Sequence, residues 1–217
     1  MVERSAQQKD GGSTPTSSLH FSRTTLKEVK DFVKKYHYSH TYPGGIDFSF
    51  KAELNGELVG ACLFGYMAGN PHAKIPVNGY FPPANKRREL MRLVLLDEMP
   101  KNSETKFVGW CLRYIRKYTD IVVIVSFADP VYGHTGVIYK AGNWTYLGLN
   151  DGGHDRKIIV DGKEVHPRMC VDIYGSSQPD KIRALGHNVE VFKRVAKHKY
   201  IYIYFGQIMP GKKNDYR

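Results

Sequence analysis

A β-branched run that ends in a polar loop is the feature that most constrains this sequence. Residues 120–125 read Asp-Ile-Val-Val-Ile-Val, a pattern typical of a strand that is buried on both faces. Residues 126–148, which follow at once, are rich in turn-forming, polar and ionisable side chains. In open sheets the strands form a rigid scaffold and the chemistry lies on loops at the strand ends. The sequence therefore predicts a central sheet with a functional site directly after this strand.

Length and composition predict one folded domain. The 217 residues are enough for one sizeable core. We expect a disordered segment at 1–18, a single domain at 19–206 and a basic tail at 207–217. The chain has no apolar stretch long enough for a membrane helix and no apolar leader, so we expect no membrane association and no secretion. The three widely separated cysteines predict free thiols in a reducing cytoplasm.

The charge of the chain predicts a nucleic-acid partner. The formal net charge is +11, from 32 Lys and Arg against 21 Asp and Glu. Such a surplus is typical of proteins that neutralise phosphate backbones, although a merely basic surface is the alternative. The clustered cations that we expect to contact nucleic acid are Lys86, Arg87, Arg88, Lys193, Lys197 and Lys199.

The order of the predicted elements is similar to that of the GNAT acyltransferase fold. The pattern predicts strands at 19–22, 47–54, 58–67, 89–96, 120–125, 144–149 and 199–205, a hairpin at 157–165, and helices that begin near residues 25, 103 and 136. The expected fold class is α+β, with a central mixed sheet, flanking helices, and fourth and fifth strands that splay apart around the donor.

The helix after the fourth strand is the expected donor anchor. A helix N-terminus offers free N–H groups and positive potential to an anion, and Asn102, Ser103 and Thr105 add a cap and further donors. Ser126, Asn143 and Trp144 complete the expected donor-binding set. The glycine-rich phosphate loop typical of coenzyme A binders is absent, because the chain reads Met-Pro-Lys-Asn-Ser at 99–103.

Six ordered motifs resemble the Mom family of phage DNA-modification proteins. They are Tyr-His-Tyr-Ser at 36–39, Glu-Leu-Met-Arg-Leu at 89–93, Pro-Lys-Asn-Ser at 100–103, Ser-Phe-Ala-Asp-Pro at 126–130, Gly-His-Thr-Gly at 133–136, and Ile-Tyr-Lys-Ala-Gly-Asn-Trp at 138–144. The resemblance covers about residues 20–205 and adds Arg168 to the expected nucleic-acid contacts. It implies conversion of adenine N6 in double-stranded DNA to a carbamoylmethyl (acetamido) or related glycyl-type group. This modification would protect phage DNA from restriction in the cytoplasm of the infected bacterium.

Adenine N6 is a weak nucleophile inside a base stack, so an enzyme must flip the base, remove a proton and stabilise developing charge. Asp129 suits the base or the acceptor for N6–H, and His37 is the alternative base or relay. Stacking faces are offered by Tyr36, Tyr38 and Tyr42. Tyr139 suits a leaving-group acid, and Arg92 an anion or carbonyl clamp. Ser39 and His134 complete the expected catalytic set.

The donor and two other functions stay open at this point. Acyl-CoA and glycyl-tRNA are both candidate donors, and His37, Asp129 and His134 have the two-histidine, one-carboxylate composition of an iron site. An acyltransferase for protein or small-molecule amines would need no charge of +11. A non-enzymatic nucleic-acid-binding module would need no Asp, His and Tyr cluster beside a buried strand.

Overall fold

The computed structural model describes residues 19–67, 82–150, 156–165, 167–193 and 195–204. The elements are β1 (Leu19–Thr24), α1 (Leu26–Tyr36), β2 (Ile46–Leu54), β3 (Glu57–Gly65), β4 (Arg87–Leu95), α2 (Ser103–Tyr118), β5 (Val123–Ala128), α3 (Val137–Ala141), β6 (Thr145–Leu149), β7 (Arg156–Val160), β8 (Lys163–Val165), α4 (Pro167–Tyr174), α5 (Pro179–Ala184), β9 (Val189–Lys193) and β10 (His198–Ile203). Seven strands form the central sheet in the order β1-β2-β3-β4-β5-β10-β6. The other three, which lie between β6 and β10 in the chain, form a small sheet in the order β8-β7-β9.

Helix α1 begins and ends where local chemistry predicts. At its start the Thr25 hydroxyl donates to the Glu28 carboxylate at 3.0 Å, and the Thr25 side chain makes no cap hydrogen bond to the helix backbone. Its apolar stripe buries Val29 and Val33 against the sheet. The helix stops because His37 adopts an extended conformation, with φ −76° and ψ 135°. The C-terminal end of α1 therefore places His37 and the residues after it beside the sheet.

Strands β4 and β5 splay apart, as predicted. The two parallel strands pair only from Arg87 to Leu90 on β4 and from Val123 to Ser126 on β5. A register shift between β3 and β4 leaves Met91 as an extra residue, and such a bulge bends the strand that carries it. The two strands therefore diverge at the edge where β5 runs into the polar loop.

Apolar layers on both faces hold this sheet rigid. One face packs against α2 through a core that includes Phe50, Phe64, Phe107 and Cys111. The opposite face packs against α1. Each fully buried side chain of this size contributes about 1.5–3 kcal/mol of transfer free energy, so the strand ends cannot shift cheaply.

The small sheet has its own core, formed by Ile158, Val160, Cys170, Ile182 and Val189. The predicted hairpin is confirmed, since β7 and β8 pair around a turn in which Asp161 and Gly162 have φ of 50° and 78°. The sequence reading had not predicted α4, α5 or β9. In the part of the chain that the structure describes, no helix is long and apolar enough to cross a membrane. The predicted segments 1–18 and 207–217 lie outside the described residues.

Candidate functional site

A cleft of about 420 Å³ opens where β4 and β5 part. Its walls come from β4, the end of β5, the end of α1, and the loop that leads into α3. Four residues of the expected catalytic set line it: His37, Tyr38, His134 and Tyr139. Segments that are far apart in sequence therefore meet at the place predicted from the strand-to-loop transition.

His37 is a buried, neutral imidazole of defined tautomer. Its Nδ1 accepts the backbone N–H of Ser39 at 3.1 Å and lies 2.8 Å from the Ser39 hydroxyl. The pKa of His37 is lowered to about 4, chiefly by burial and also by the charges of Arg92, His134 and His40. Because Nδ1 is an acceptor, the proton of the neutral ring lies on Nε2. In this state Nε2 donates a hydrogen bond, so the role of base or relay expected for His37 would require a change of tautomer.

Arg92 fastens the loop after α1 to β4. Its Nε donates to the Thr41 carbonyl at 3.1 Å, one Nη donates to Thr41 Oγ1 at 3.3 Å, and the other donates to the Met91 carbonyl at 2.6 Å. Ser39 belongs to the same loop and lies within 3.3 Å of the Thr41 hydroxyl. Three of the five guanidinium hydrogens are therefore committed to backbone or loop groups. This geometry makes Arg92 a positioning residue for the segment that carries His37 and Tyr38.

Tyr38 contacts the aromatic rings of three neighbours. Its centroid lies 4.2 Å from that of His37 and 4.2 Å from that of Tyr132, and the His134 ring lies 5.2 Å away. Burial raises the pKa of Tyr38 above its ordinary value, and the charge of Asp129 raises it further. Tyr132 was not among the residues predicted for the site.

Asp129 ends β5 with both carboxylate oxygens engaged. Oδ1 accepts the Val131 N–H at 3.1 Å, which caps the short 3-10 turn at Pro130–Tyr132. Oδ2 pairs with Lys197 Nζ at 2.9 Å, and the Asp129 side chain is 11% exposed. Each oxygen keeps a second lone pair. Asp129 can therefore accept a further hydrogen bond while the turn and the ion pair hold it in place.

Lys197 was predicted to lie on the nucleic-acid track, but the structure brings it into the site. Its ammonium group pairs with Asp129, and its backbone N–H donates to the Asn150 side chain at 2.7 Å. The ion pair joins the segment before β10 to the end of β5, because these two strands are antiparallel neighbours. Sequence clustering placed Lys197 with Lys193 and Lys199, and only the sheet order distinguishes it from them.

Tyr139 and Ser126 form a buried chain of hydroxyls below the cleft. The Ser126 hydroxyl lies 3.0 Å from the Leu90 carbonyl and 2.8 Å from the Tyr139 hydroxyl. A carbonyl can only accept, so Ser126 donates to Leu90 and Tyr139 donates to Ser126. Burial raises the pKa of Tyr139 far above its ordinary value, which keeps the phenol protonated. The chain ties α3 to the last paired residues of β4 and β5, and it places Ser126 behind the cleft wall.

Glu89 is a charged residue of β4 near the cleft that the sequence reading missed. It lies opposite Val125 of β5, one residue before Leu90, and Leu90 but not Glu89 lines the cleft. The pKa of Glu89 is raised to about 7, chiefly by burial and against the opposing positive charges of Arg92 and Lys197. A carboxyl group that titrates near neutrality beside a cleft is a candidate proton acceptor. The sequence feature that could have identified Glu89 is its position as a lone carboxylate within a predicted apolar strand.

The expected donor-binding residues need correction. Asn102, Ser103 and Thr105 do not line the cleft formed by the described residues, whereas Glu104 does. Ser103 is 1% exposed, so its hydroxyl is not presented to a ligand. Asn143 has φ 60° in the turn after α3, a conformation that Asn tolerates well, and Trp144 is buried against Tyr139. These residues shape the fold around the cleft.

The structure buries two of the three cations predicted for the nucleic-acid track at Lys86, Arg87 and Arg88. Arg87 and Arg88 are only 8% and 6% exposed, and Arg88 Nε pairs with Asp47 at 2.5 Å while its guanidinium covers the Tyr66 ring. Lys86 is partly exposed and pairs with the exposed carboxylate of Asp120. Arg87 and Arg88 therefore do not present their charge to a phosphate backbone, and the contact expected for Lys86 stays a prediction.

The remaining cations differ in position. Lys193 is exposed on β9, Lys199 is partly buried opposite Phe127, and the side chain of Arg168 lies outside those described. Lys34 and Lys35 form the last turn of α1, directly before the cleft residues Tyr36 and His37, and both are exposed. Neither lysine lines the cleft, but Lys35 Nζ lies 4.8 Å from the ring centroid of the cleft residue Tyr36. The sequence reading missed both, because they read as the polar face of an amphipathic helix.

The iron-ligand set expected from sequence is not assembled. Among the described residues, no group of three His, Cys, Asp or Glu side chains is arranged to hold a metal ion. His37 uses Nδ1 for Ser39, and both Asp129 oxygens already have partners. The geometry of His37, Asp129 and His134 therefore does not fit a facial triad.

Comparison with solved structures shows the fold. The chain is similar to the IAA acetyltransferase from Bacillus cereus, with a TM-score of 0.50 and 10% identity over 86% of this chain and 99% of that one. It is also similar to the GNAT family N-acetyltransferase YhbS from Escherichia coli in complex with coenzyme A, with a TM-score of 0.45 and 11% identity over 61% and 72% of the two chains. The α+β, GNAT-like fold predicted from the element order is confirmed.

Comparison of sequences shows the family. The chain is 30% identical over 130 residues to the protein named methylcarbamoylase mom of Escherichia phage Mu, which is 57% of this chain and 51% of that protein. The chain thus matches about half the length of this curated relative. The model of the Mom protein family matches residues 18–214, which includes the whole sheet and every residue of the cleft. The chain belongs to the Mom protein family.

Proposed function

We propose that this protein is a transferase that modifies the exocyclic N6 of adenine in DNA with a carbamoylmethyl or isomeric glycyl group. The observation that carries the proposal is the meeting of His37, Tyr38 and Tyr139 in the cleft where β4 and β5 diverge, with Asp129 directly after the cleft residue Ala128. Membership of the Mom family and the printed name of the phage Mu relative, a methylcarbamoylase, support the type of group that is transferred. A net charge of +11 suits a polyanionic substrate.

The proton of N6 needs an acceptor, and two carboxylates are available. Asp129 is fixed by the 3-10 turn and by Lys197, which suits it to accept the N6–H hydrogen bond and orient the base. Glu89, with a pKa of about 7, is partly ionised at neutral pH and suits proton removal. In the reacting step N6 bonds to the electrophilic carbon of the donor. The N6 proton passes to a carboxylate, and the leaving group departs with the bonding electron pair.

Developing negative charge on the donor needs hydrogen-bond donors. Neutral His37 carries its proton on Nε2, and this tautomer is enforced by the Ser39 N–H. The loop that presents His37 is held by Arg92, so the imidazole is fixed before the donor binds. We assign His37 to stabilise the donor oxygen. Tyr139 donates its hydroxyl hydrogen to Ser126, so we assign it to hold the wall of the cleft and not to protonate the departing group.

The donor class remains a choice between a thioester and an aminoacyl ester. Glu104 lines the cleft at the start of α2, and its negative charge would oppose a pyrophosphate at that helix end. A donor such as acyl-CoA would therefore enter along another path than the one predicted from Asn102 and Ser103. Glycyl-tRNA would use the same basic surface as DNA.

The test is mass spectrometry of nucleosides from plasmid DNA after expression of the full chain. We expect a deoxyadenosine derivative that is heavier by two carbons, three hydrogens, one nitrogen and one oxygen. Fragmentation distinguishes the carbamoylmethyl product from its glycyl isomer. An Asp129→Asn variant, which keeps the shape of the side chain, should abolish the product, and Asp180→Asn on the exposed end of α5 is the matched control. An unchanged nucleoside profile with the wild-type protein would contradict the proposed function.

A further inference from the structure

The rings of His37, Tyr38 and Tyr132 form a column at the cleft. The two centroid separations within it are both 4.2 Å, with interplanar angles of 32° and 36°. The rings are in direct contact at these separations, which are slightly shorter than the usual range of about 4.5–7 Å. Because the His37 and Tyr132 rings both lie against Tyr38, a planar ligand would have to compete with them for contact with Tyr38.

The column is closed at one end and open at the other. His37 is 5% exposed and lies against the protein, whereas Tyr132 is 51% exposed. The outer face of Tyr132 is therefore the surface on which a further flat group can extend the column without rearrangement. A large exposed aromatic side chain beside a cleft is a common sign of a binding surface.

Tyr132 is also held in place before any ligand arrives. It ends the 3-10 turn at Pro130–Tyr132, in which the Tyr132 N–H donates to the Asp129 carbonyl at 3.2 Å. Gly133 N–H donates to the Pro130 carbonyl at 3.0 Å, and Gly133 has φ 74°, which favours glycine at that point. Pro130 restricts the backbone further. A preorganised aromatic platform loses little entropy when it binds a partner.

We infer that Tyr132 is the residue on which the extruded purine base stacks, with His37 and Tyr38 as the supporting column behind it. This inference rests on the proposed function and names the binding residue for its nucleobase. The same short turn carries Asp129, so the stacking surface and the acceptor for N6–H belong to one rigid unit. Tyr38, which the sequence reading proposed as one of three stacking faces, becomes the support for Tyr132.

The test uses a single-stranded oligodeoxynucleotide with one 2-aminopurine, whose fluorescence falls when it stacks on an aromatic ring. We expect the wild-type protein to bind it with quenching. Tyr132→Leu should weaken binding by roughly 5- to 150-fold, the range set by one base–aromatic stack, and should abolish the quenching. Tyr132→Phe keeps the ring and should behave as the wild type. Tyr118→Leu is the matched control, because Tyr118 is 61% exposed and stacks on Tyr114 on α2.

Each outcome distinguishes the inference from the proposed function. If Tyr132→Leu binds and quenches as the wild type does, or if the wild type shows no quenching, the base stacks elsewhere and the inference is wrong. The nucleoside assay is read separately, so quenching that depends on Tyr132 without any modified adenine would uphold the stacking surface and refute the reaction. If Tyr132→Leu does not fold, Tyr132→Trp replaces it. Trp should bind at least as tightly as Tyr, and weaker binding would contradict the inference.

Discussion

Substitution of Glu89 by Gln should make the protein more stable at alkaline pH, although it removes a charged group of the site. The folded state raises the pKa of Glu89 from 4.5 to about 7, chiefly through burial. Between these two values the folded protein keeps the proton and the unfolded chain releases it, so the free energy of unfolding falls as the pH rises. Since each pKa unit is worth about 1.4 kcal/mol, the loss reaches about 3 kcal/mol above pH 7. This is an upper limit, because the side chain is only partly buried.

The ionisation of His37 changes the free energy of unfolding in the opposite direction. The pH dependence of wild-type stability alone therefore does not reveal the contribution of Glu89. Its pKa falls from 6.5 to about 4 on folding, so the unfolded state binds the proton first and stability is lost as the pH falls through this window. Between about pH 4.5 and 6.5 the two contributions have opposite slopes of similar size. The difference between wild type and variant removes the contribution of His37 and isolates that of Glu89.

The assay is urea denaturation of wild type and Glu89→Gln at matched pH values between about 4.5 and about 8.5. We expect nearly equal stability at the acid end, where Glu89 is protonated in the folded state and half protonated in the unfolded chain. The variant should become the more stable protein by up to about 3 kcal/mol at the alkaline end. Glu98→Gln, at an exposed position, controls for the loss of one negative charge. A difference that stays constant over this range, or a variant that becomes the weaker protein above pH 7, would refute the assignment of Glu89 as a buried group poised near neutrality.

Three further substitutions test how the site is built. Gly136→Ala should lower the free energy of unfolding by about 2–4 kcal/mol, because its Cβ would overlap the buried ring of Tyr200. Gly133→Ala, with nearly the same φ but open space around it, should cost only the backbone strain of about 1–2 kcal/mol. Equal losses for the two variants in thermal denaturation would argue against the overlap. Arg88→Met should lower the free energy of unfolding by about 3 kcal/mol, because it leaves Asp47 without its partner. Lys157→Met, at an exposed ion pair, should lower it by under about 1 kcal/mol. A loss at Arg88 no larger than at Lys157 would show that Arg88 behaves as a surface residue. The double variant Lys34→Gln and Lys35→Gln should flatten the slope of log K for DNA against log salt by roughly 1.8. The same change at Arg116 and Lys117, at the end of α2 away from the cleft, should leave the slope unchanged. Equal slopes in both double variants would show that α1 does not contact DNA.

The sequence alone determined the elements whose conformation depends on neighbouring residues. Asn55-Gly56 and Asp161-Gly162 predicted tight turns because their backbones adopt positive φ at low cost, and both pairs do so. The apolar run before Ser126 predicted a buried strand that ends in a site, and the cleft lies at that strand end. Periods of two and of 3.6 residues likewise predicted the order of the main elements, which was enough for the fold class.

Only the tertiary structure decided which charged and aromatic groups are available for function. Arg88 and Lys197 read as members of basic clusters, yet Arg88 is buried against Asp47 and Lys197 pairs with Asp129. Tyr132 meets Tyr38 because β5 ends beside α1. Each of these pairings joins positions that are distant in the chain, and the sequence carries no local signal for them. The strand order and the divergence of β4 and β5 bring the partners together, because contacts across a sheet depend on which strands are neighbours and not on separation along the chain.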